Sequence, residues 1–153
     1  MLALIPAVLL AVSMHAAPRD SVLGSWVAID DVDGRERSTV RLYLQSGKLC
    51  GRITELIVRP GEDPNPTCDK CPGDQKGHPA AGLRIIDGLT YDGTKWSGGT
   101  VLRPETGKLY DCTLWVEGDT LFVRGHFLCF YKTQTWVRAQ QGDEPLLNDD
   151  GEE

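Results

Sequence analysis

No apolar run in this sequence reaches the length a helix needs to cross a bilayer. An intramembrane helical protein is thereby excluded. Clustered Lys and Arg are missing too: the net charge is -6, and phosphate neutralisation needs grouped cations, which argues against nucleic-acid binding. A second C-x-x-C is absent, so no zinc ribbon is written here. Past the N-terminal segment no apolar pattern of period 3.6 is sustained, which leaves little room for amphipathic helices.

What is present is turn chemistry. The 153 residues include 17 Gly and 9 Pro, many for a helical protein and apt for a chain of short strands in one domain. The acidity belongs to one end. Asp143, Glu144, Asp149, Asp150, Glu152 and Glu153 hold six of the 22 acids and leave 16 against 16 basic residues upstream. Residues 140–153 are therefore expected to be an acidic, disordered tail, with too little apolar surface to order itself. At the other end, Leu2 to Val12 is apolar and uncharged, the length of a signal-peptide core, and charge begins at Arg19 and Asp20. Residues 1–17 are expected to be a cleaved signal peptide ending near Ala17, which implies a periplasmic or secreted protein without a membrane span.

Between these ends, residues 18–139 read as one all-β domain of about eight strands. They fall near Gly24 to Ile29, Ser38 to Gln45, Lys48 to Val58, Leu83 to Asp87, Lys95 to Arg103, Lys108 to Val116, Leu121 to Cys129 and Thr133 to Arg138. Asp33-Gly34, Ser46-Gly47, Asp92-Gly93, Thr106-Gly107 and Gly118-Asp119 mark hairpin turns. A meander of this length removes its exposed edges by closing as a small antiparallel up-and-down barrel. An open sandwich is the competing architecture. Turning at Ser46-Gly47 sets Leu44 beside Leu49 and Val40 beside Ile53; turning at Gly118-Asp119 sets Val116 beside Leu121 and Leu114 beside Val123. Alternation then puts Tyr110, Cys112, Leu114, Val116, Leu121, Val123, Phe127 and Cys129 on the inner face. Tyr110, Leu114 and Phe127 are the expected contacts of a small apolar ligand. Glu55, on the inner parity of Leu49 and Ile53, is the carboxylate that could orient such a ligand, unless a bulge turns it to water.

The stretch Arg59 to Gly82 carries five prolines and no strand pattern, and loops this long are usually functional or disordered. It contains Cys68-Asp69-Lys70-Cys71, read as a disulfide in an oxidising compartment. The alternatives at this loop are a zinc site completed by His78, Asp74 or His126, and thiol chemistry aided by Lys70 and Lys76. Cys112 and Cys129 lie about four residues apart in pairing, too far to bridge, and Cys50 sits on the opposite face from Cys112. Asp30, Asp31 and His126 have no triad partner, so the reading leans to a non-enzyme with no cofactor and no bound metal.

Gly24-Ser25-Trp26 at the head of the first strand, with Arg138 on the last, resembles the closure of lipocalins and other calycins, in which an Arg packs across that Trp. Further motifs are Ser46-Gly47-Lys48-Leu49, Asn65-Pro66-Thr67-Cys68-Asp69-Lys70-Cys71-Pro72-Gly73-Asp74, Trp96-Ser97-Gly98-Gly99, Gly107-Lys108-Leu109-Tyr110, Val123-Arg124-Gly125 and Thr133-Gln134-Thr135-Trp136. With these the chain resembles a bacterial family of exported proteins, domain of unknown function 2147. The resemblance implies a calycin-like barrel with a C-x-x-C loop and brings no activity. Cys50 and Cys129 depart from that pattern, and the chain lacks the middle Thr-Asp-Tyr motif of lipocalins proper. The functional expectation is an envelope protein that binds a small apolar ligand without catalysis. The alternatives are a structural or partner-binding factor whose barrel is filled by side chains, and a thiol or zinc site at the Cys68–Cys71 loop. Oligomeric state is not legible.

Overall fold

Eight strands follow one another in the computed structural model, which describes residues 18–140; the expected leader and the tail beyond Gln140 lie outside the described residues. They are β1 (Gly24–Ile29), β2 (Glu36–Gln45), β3 (Lys48–Leu56), β4 (Arg84–Tyr91), β5 (Trp96–Arg103), β6 (Lys108–Glu117), β7 (Thr120–Phe127) and β8 (Phe130–Arg138). Each pairs antiparallel with the next, and β8 returns to β1, so the sheet is a closed barrel rather than a sandwich. The pairs Leu44–Leu49, Val40–Ile53, Val116–Leu121 and Leu114–Val123 all occur in register.

β4 runs further than its apolar pattern suggests. Gly88 reads as a strand end, yet it takes φ +71° inside the strand and lets pairing resume at Leu89. A side chain is hard to admit there or opposite: a Cβ at Gly99 would lie 2.1 Å from the Asp87 carbonyl oxygen. The two glycines thus let β4 and β5 approach through an irregular stretch.

The core centres on three indoles toward one end of the barrel and continues through Val40, Ile53 and Ile86. Trp26, Trp96 and Trp136 are buried with Leu42, Leu49, Leu89, Leu114 and Leu121, and this end is capped by the short 3-10 turn Arg19–Val22. Trp26 Nε1 donates to the Val22 carbonyl at 2.8 Å. Arg138 lies over the Trp26 ring at 3.9 Å and donates to the Leu23 and Ser21 carbonyls at 2.8 and 2.6 Å. Gly24, Trp26 and Arg138 therefore meet at the closed end, where a Cβ on Gly24 would stand 3.4 Å from Arg138 Nη1.

The long connection between β3 and β4 lies on the outer wall rather than across the mouth. Cys68 and Cys71 are disulfide-bonded, and Cys68 N–H donates to the His78 carbonyl at 2.8 Å while Gly77 N–H returns to the Cys68 carbonyl at 2.8 Å. Gln75 accepts from Arg84 N–H at 2.8 Å and donates to the Arg84 carbonyl at 3.0 Å, which docks the loop on β4 as an extra strand would. At Gly107 there is no room for a side chain: a Cβ would fall 1.7 Å from the Lys70 carbonyl oxygen. This cover explains why Ile85 and Leu102 are buried although Leu102 sits on the outer parity of β5.

Candidate ligand site at the barrel mouth

Three neighbouring strands lose burial toward the same end of the barrel. Along the inner face of β6, Leu114 and Cys112 are buried and Tyr110 is half-buried; along β7, Leu121 and Val123 are buried, Gly125 half-buried and Phe127 60% exposed. On β8 the order is Trp136 buried, Gln134 half-buried, Lys132 and Phe130 exposed. Register makes these sets one surface, because Leu121 pairs Trp136, Val123 pairs Gln134 and Gly125 pairs Lys132. Burial thus falls toward this end along β6, β7 and β8, while Ser38, Val40, Ile53 and Ile86 on β2, β3 and β4 are buried. Val101 on β5, which pairs with Tyr110, and Ala28 on β1, which pairs with Trp136, are half-buried residues of the two flanking strands.

Gly125 lies between two of these side chains. A Cβ placed there would already touch Tyr110 Cβ and Val101 Cγ1 at 3.5 Å, so anything larger than a methyl group would have to fit against or displace them. Tyr110 and Phe127 form the lip, their rings edge-on at 6.3 Å. Charge surrounds it. Lys132 is ion-paired with Asp31, Arg37 with Asp30 at 3.5 Å and Glu105 at 3.8 Å, and Arg103 with Glu105 at 3.8 Å. The hydrogen bond from Lys132 holds the Asp31 carboxyl below the ordinary carboxylate range. Arg37 opens β2 while Glu105 lies in the β5–β6 turn, so this pair links strands that are not neighbours.

The expected lining residues separate accordingly. Tyr110 and Phe127 are brought together at the lip. Leu114 is wholly buried in the core, where Trp96 pairs beside it. Glu55 is corrected. The β2–β3 register slips between Thr39 and Val40, so Thr54 is an extra residue; Glu55 then pairs with Thr39 on the outer parity and is exposed. Cys129 leaves the inner face as well, since it lies in the β7–β8 turn and is exposed. Gln134, Lys132, Gly125 and Val101 were not among the expected residues, although stepping back by twos from Trp136 along β8 finds the first two.

The loop offers little chemistry. Cys68 and Cys71 are both buried in their bridge, which leaves no thiolate for zinc and no sulfur open to attack by a thiol. Asp74, His78 and Gln75 instead border an outer hollow of about 310 Å³ with Arg52 and Arg84. Both guanidinium groups are already engaged, Arg52 with Tyr43 Oη and the Gly82 carbonyl, Arg84 with Asp87. Cys112 is neutral, since burial pushes its thiol up to about 12. Among the described residues no helix is long and apolar enough to cross a membrane.

Residues 24–138, which span the barrel, match the family model described as "Uncharacterized protein conserved in bacteria (DUF2147)". No curated protein matches the chain. Among solved structures, one similar chain is described as "Protein HP1028 from the human pathogen Helicobacter pylori belongs to the lipocalin family". It is 17% identical, with a TM-score of 0.66 over 78% of this chain and 84% of that one. The fold is therefore lipocalin-like, as the closure motif implies.

Proposed function

This chain belongs to that bacterial family, and we propose that it is a non-enzymatic binding protein of the cell envelope that takes a small, mostly apolar ligand in its barrel mouth. One observation carries the reading: side chains on inner parity become progressively accessible along β6, β7 and β8, above a plug of three Trp. A cup of this form suits a ligand with an apolar body against Tyr110, Val101 and Phe127 and a polar end near Gln134 or Lys132. The leader expected over residues 1–17 supports export to the periplasm or the medium. Mass analysis of exported protein should find an N-terminus near Ala17, and intact Met1 would overturn the cleaved leader.

Gly125→Leu tests the cup. Its side chain would fill the space beside Tyr110 and Val101, so native mass spectrometry should show the co-purified ligand of the wild type lost from a variant that still folds. A filled barrel gives a different pair of results: no ligand on the wild type, and a Gly125→Leu protein destabilised by overpacking. That outcome would favour the reading as a structural factor.

A further inference from the structure

The connection between β7 and β8 is built from side chains that turns seldom use. Phe127, Leu128, Cys129, Phe130 and Tyr131 are consecutive and exposed, Phe127 at 60%, Leu128 at 86%, Phe130 at 72% and Tyr131 at 64%. Phe127 pairs with Phe130, so Leu128 and Cys129 alone make the turn. Leu128 adopts φ +55°, a left-handed conformation that two-residue hairpins ordinarily give to Asn, Asp or Gly. Good turn residues have been set aside for apolar ones. At roughly 200 Å² for a whole aromatic side chain, the tip holds about 500 Å² of apolar surface in water, as much as the largest patch on a typical monomer.

We propose that this tip inserts into the interfacial layer of a lipid bilayer, with the barrel standing mouth-down on the membrane. A hairpin end is convex and presents both faces of its strands. A second copy of the same convex tip could cover only part of it; even full coverage of two tips would bury about 1,000 Å², below the range of stable interfaces. Lipid deforms around such a shape and covers every side. The residues behind the tip fit that depth. Arg124 stacks over the Tyr131 ring at 4.3 Å, which sets a cation beside an aromatic at the level where phosphate headgroups would lie, while Lys132, next in the chain, is held by Asp31. Leu109, half exposed on β6, broadens the inserting edge. The inference stands apart from the ligand reading, since a filled barrel could dock equally well.

The chain supplies its own probe. Cys129 is exposed, Cys50 and Cys112 are buried, and Cys68 is bonded to Cys71, so an environment-sensitive iodoacetamide dye will label the tip of the full chain. Vesicles of phosphatidylethanolamine and phosphatidylglycerol containing doxyl-labelled phosphatidylcholine should shift the dye to the blue and quench it. The same dye on Asp119→Cys, with Cys129→Ser, reports from the opposite end of the barrel and should do neither. Leu128→Asp with Phe130→Glu, both at exposed positions, should lower vesicle partitioning about tenfold or more. Because quenching reads depth at the labelled residue, attachment through the apolar run Leu2 to Val12 would not mimic it. An unquenched tip, or equal quenching at both ends, overturns the proposal. A dye shift that depends on protein concentration without vesicles overturns it in favour of self-association.

Discussion

Replacing Arg138 by Met removes the charge that closes the barrel while keeping an unbranched stem over Trp26. The guanidinium makes two hydrogen bonds to main-chain carbonyls, of Leu23 and Ser21, and sits 3.9 Å from the indole centroid. At about 1 kcal/mol for each hydrogen bond and a further 0.5–1 kcal/mol for the cation over the ring at a solvent-facing site, the loss is about 3 kcal/mol, or roughly 10 °C in Tm for a domain of this size. Urea unfolding followed by Trp emission should show the midpoint fall with the slope unchanged. Lys at this position keeps the charge but not the fork that reaches two carbonyls at once, so it should restore less than half of the difference. A double-mutant cycle with Trp26→Phe should return a coupling near 1 kcal/mol. A loss below about 1 kcal/mol for Arg138→Met, or an Arg138→Lys protein indistinguishable from wild type, would refute the assignment of closure to this residue.

At pH 8 an alkylating reagent should modify Cys129 rapidly and Cys112 only on unfolding, as peptide mass mapping would show. Since the folded Cys112 pKa lies near 12 and its ordinary value is 9.0, the unfolded chain releases this proton first; stability should fall as pH rises from about 9 toward 12, and Cys112→Ala should flatten that slope in alkaline urea titrations. The Cys68–Cys71 bridge should survive dithiothreitol in native protein and be lost on addition of urea, and its removal by Cys68→Ser with Cys71→Ser should cost about 2 kcal/mol by loop entropy, measured by unfolding. Gly107→Ala should lift the loop from the β5–β6 turn, seen as faster hydrogen exchange at Gly77 and Ala80 than in wild type.

The strands were legible because glycine dipeptides punctuate them and alternation repeats between the turns; two hairpin registers followed from the apolar pattern alone. Glu55 was misplaced for a local reason. A single extra residue at Thr54 reverses parity, and nothing in the composition of Arg52 to Leu56 marks the slip. Leu114 takes the expected face but lies deep in the core, since alternation specifies which side of a strand a residue takes but not how far along the barrel the plug extends. Burial of Cys50, Ile85 and Leu102 on or beside the outer wall depends on long-range docking and on neighbours in the sheet, to which a periodic reading is blind. The closure trio was readable from its residue types, because a Gly-x-Trp opening and a terminal Arg are chemically complementary.

The eight seams of the barrel are unequal. β7 and β8 share eight register pairs, from Thr120–Val137 to Phe127–Phe130, whereas β1 meets β8 through three: Trp26–Arg138, Val27–Val137 and Ala28–Trp136. The other seven seams join strands consecutive in the chain, and all but β3–β4, with its long connection, can zip locally, but this one must wait for both ends of the sequence to find each other. It is where the cylinder should come undone first. It also brings Ala139 within hydrogen-bonding reach of Ser25, the Ala139 N–H donating to the Ser25 carbonyl at 3.0 Å. A short linker between the two ends, with new termini cut at Gly118-Asp119, would turn the weakest seam into a covalent hairpin and make the β6–β7 pairing the last to form.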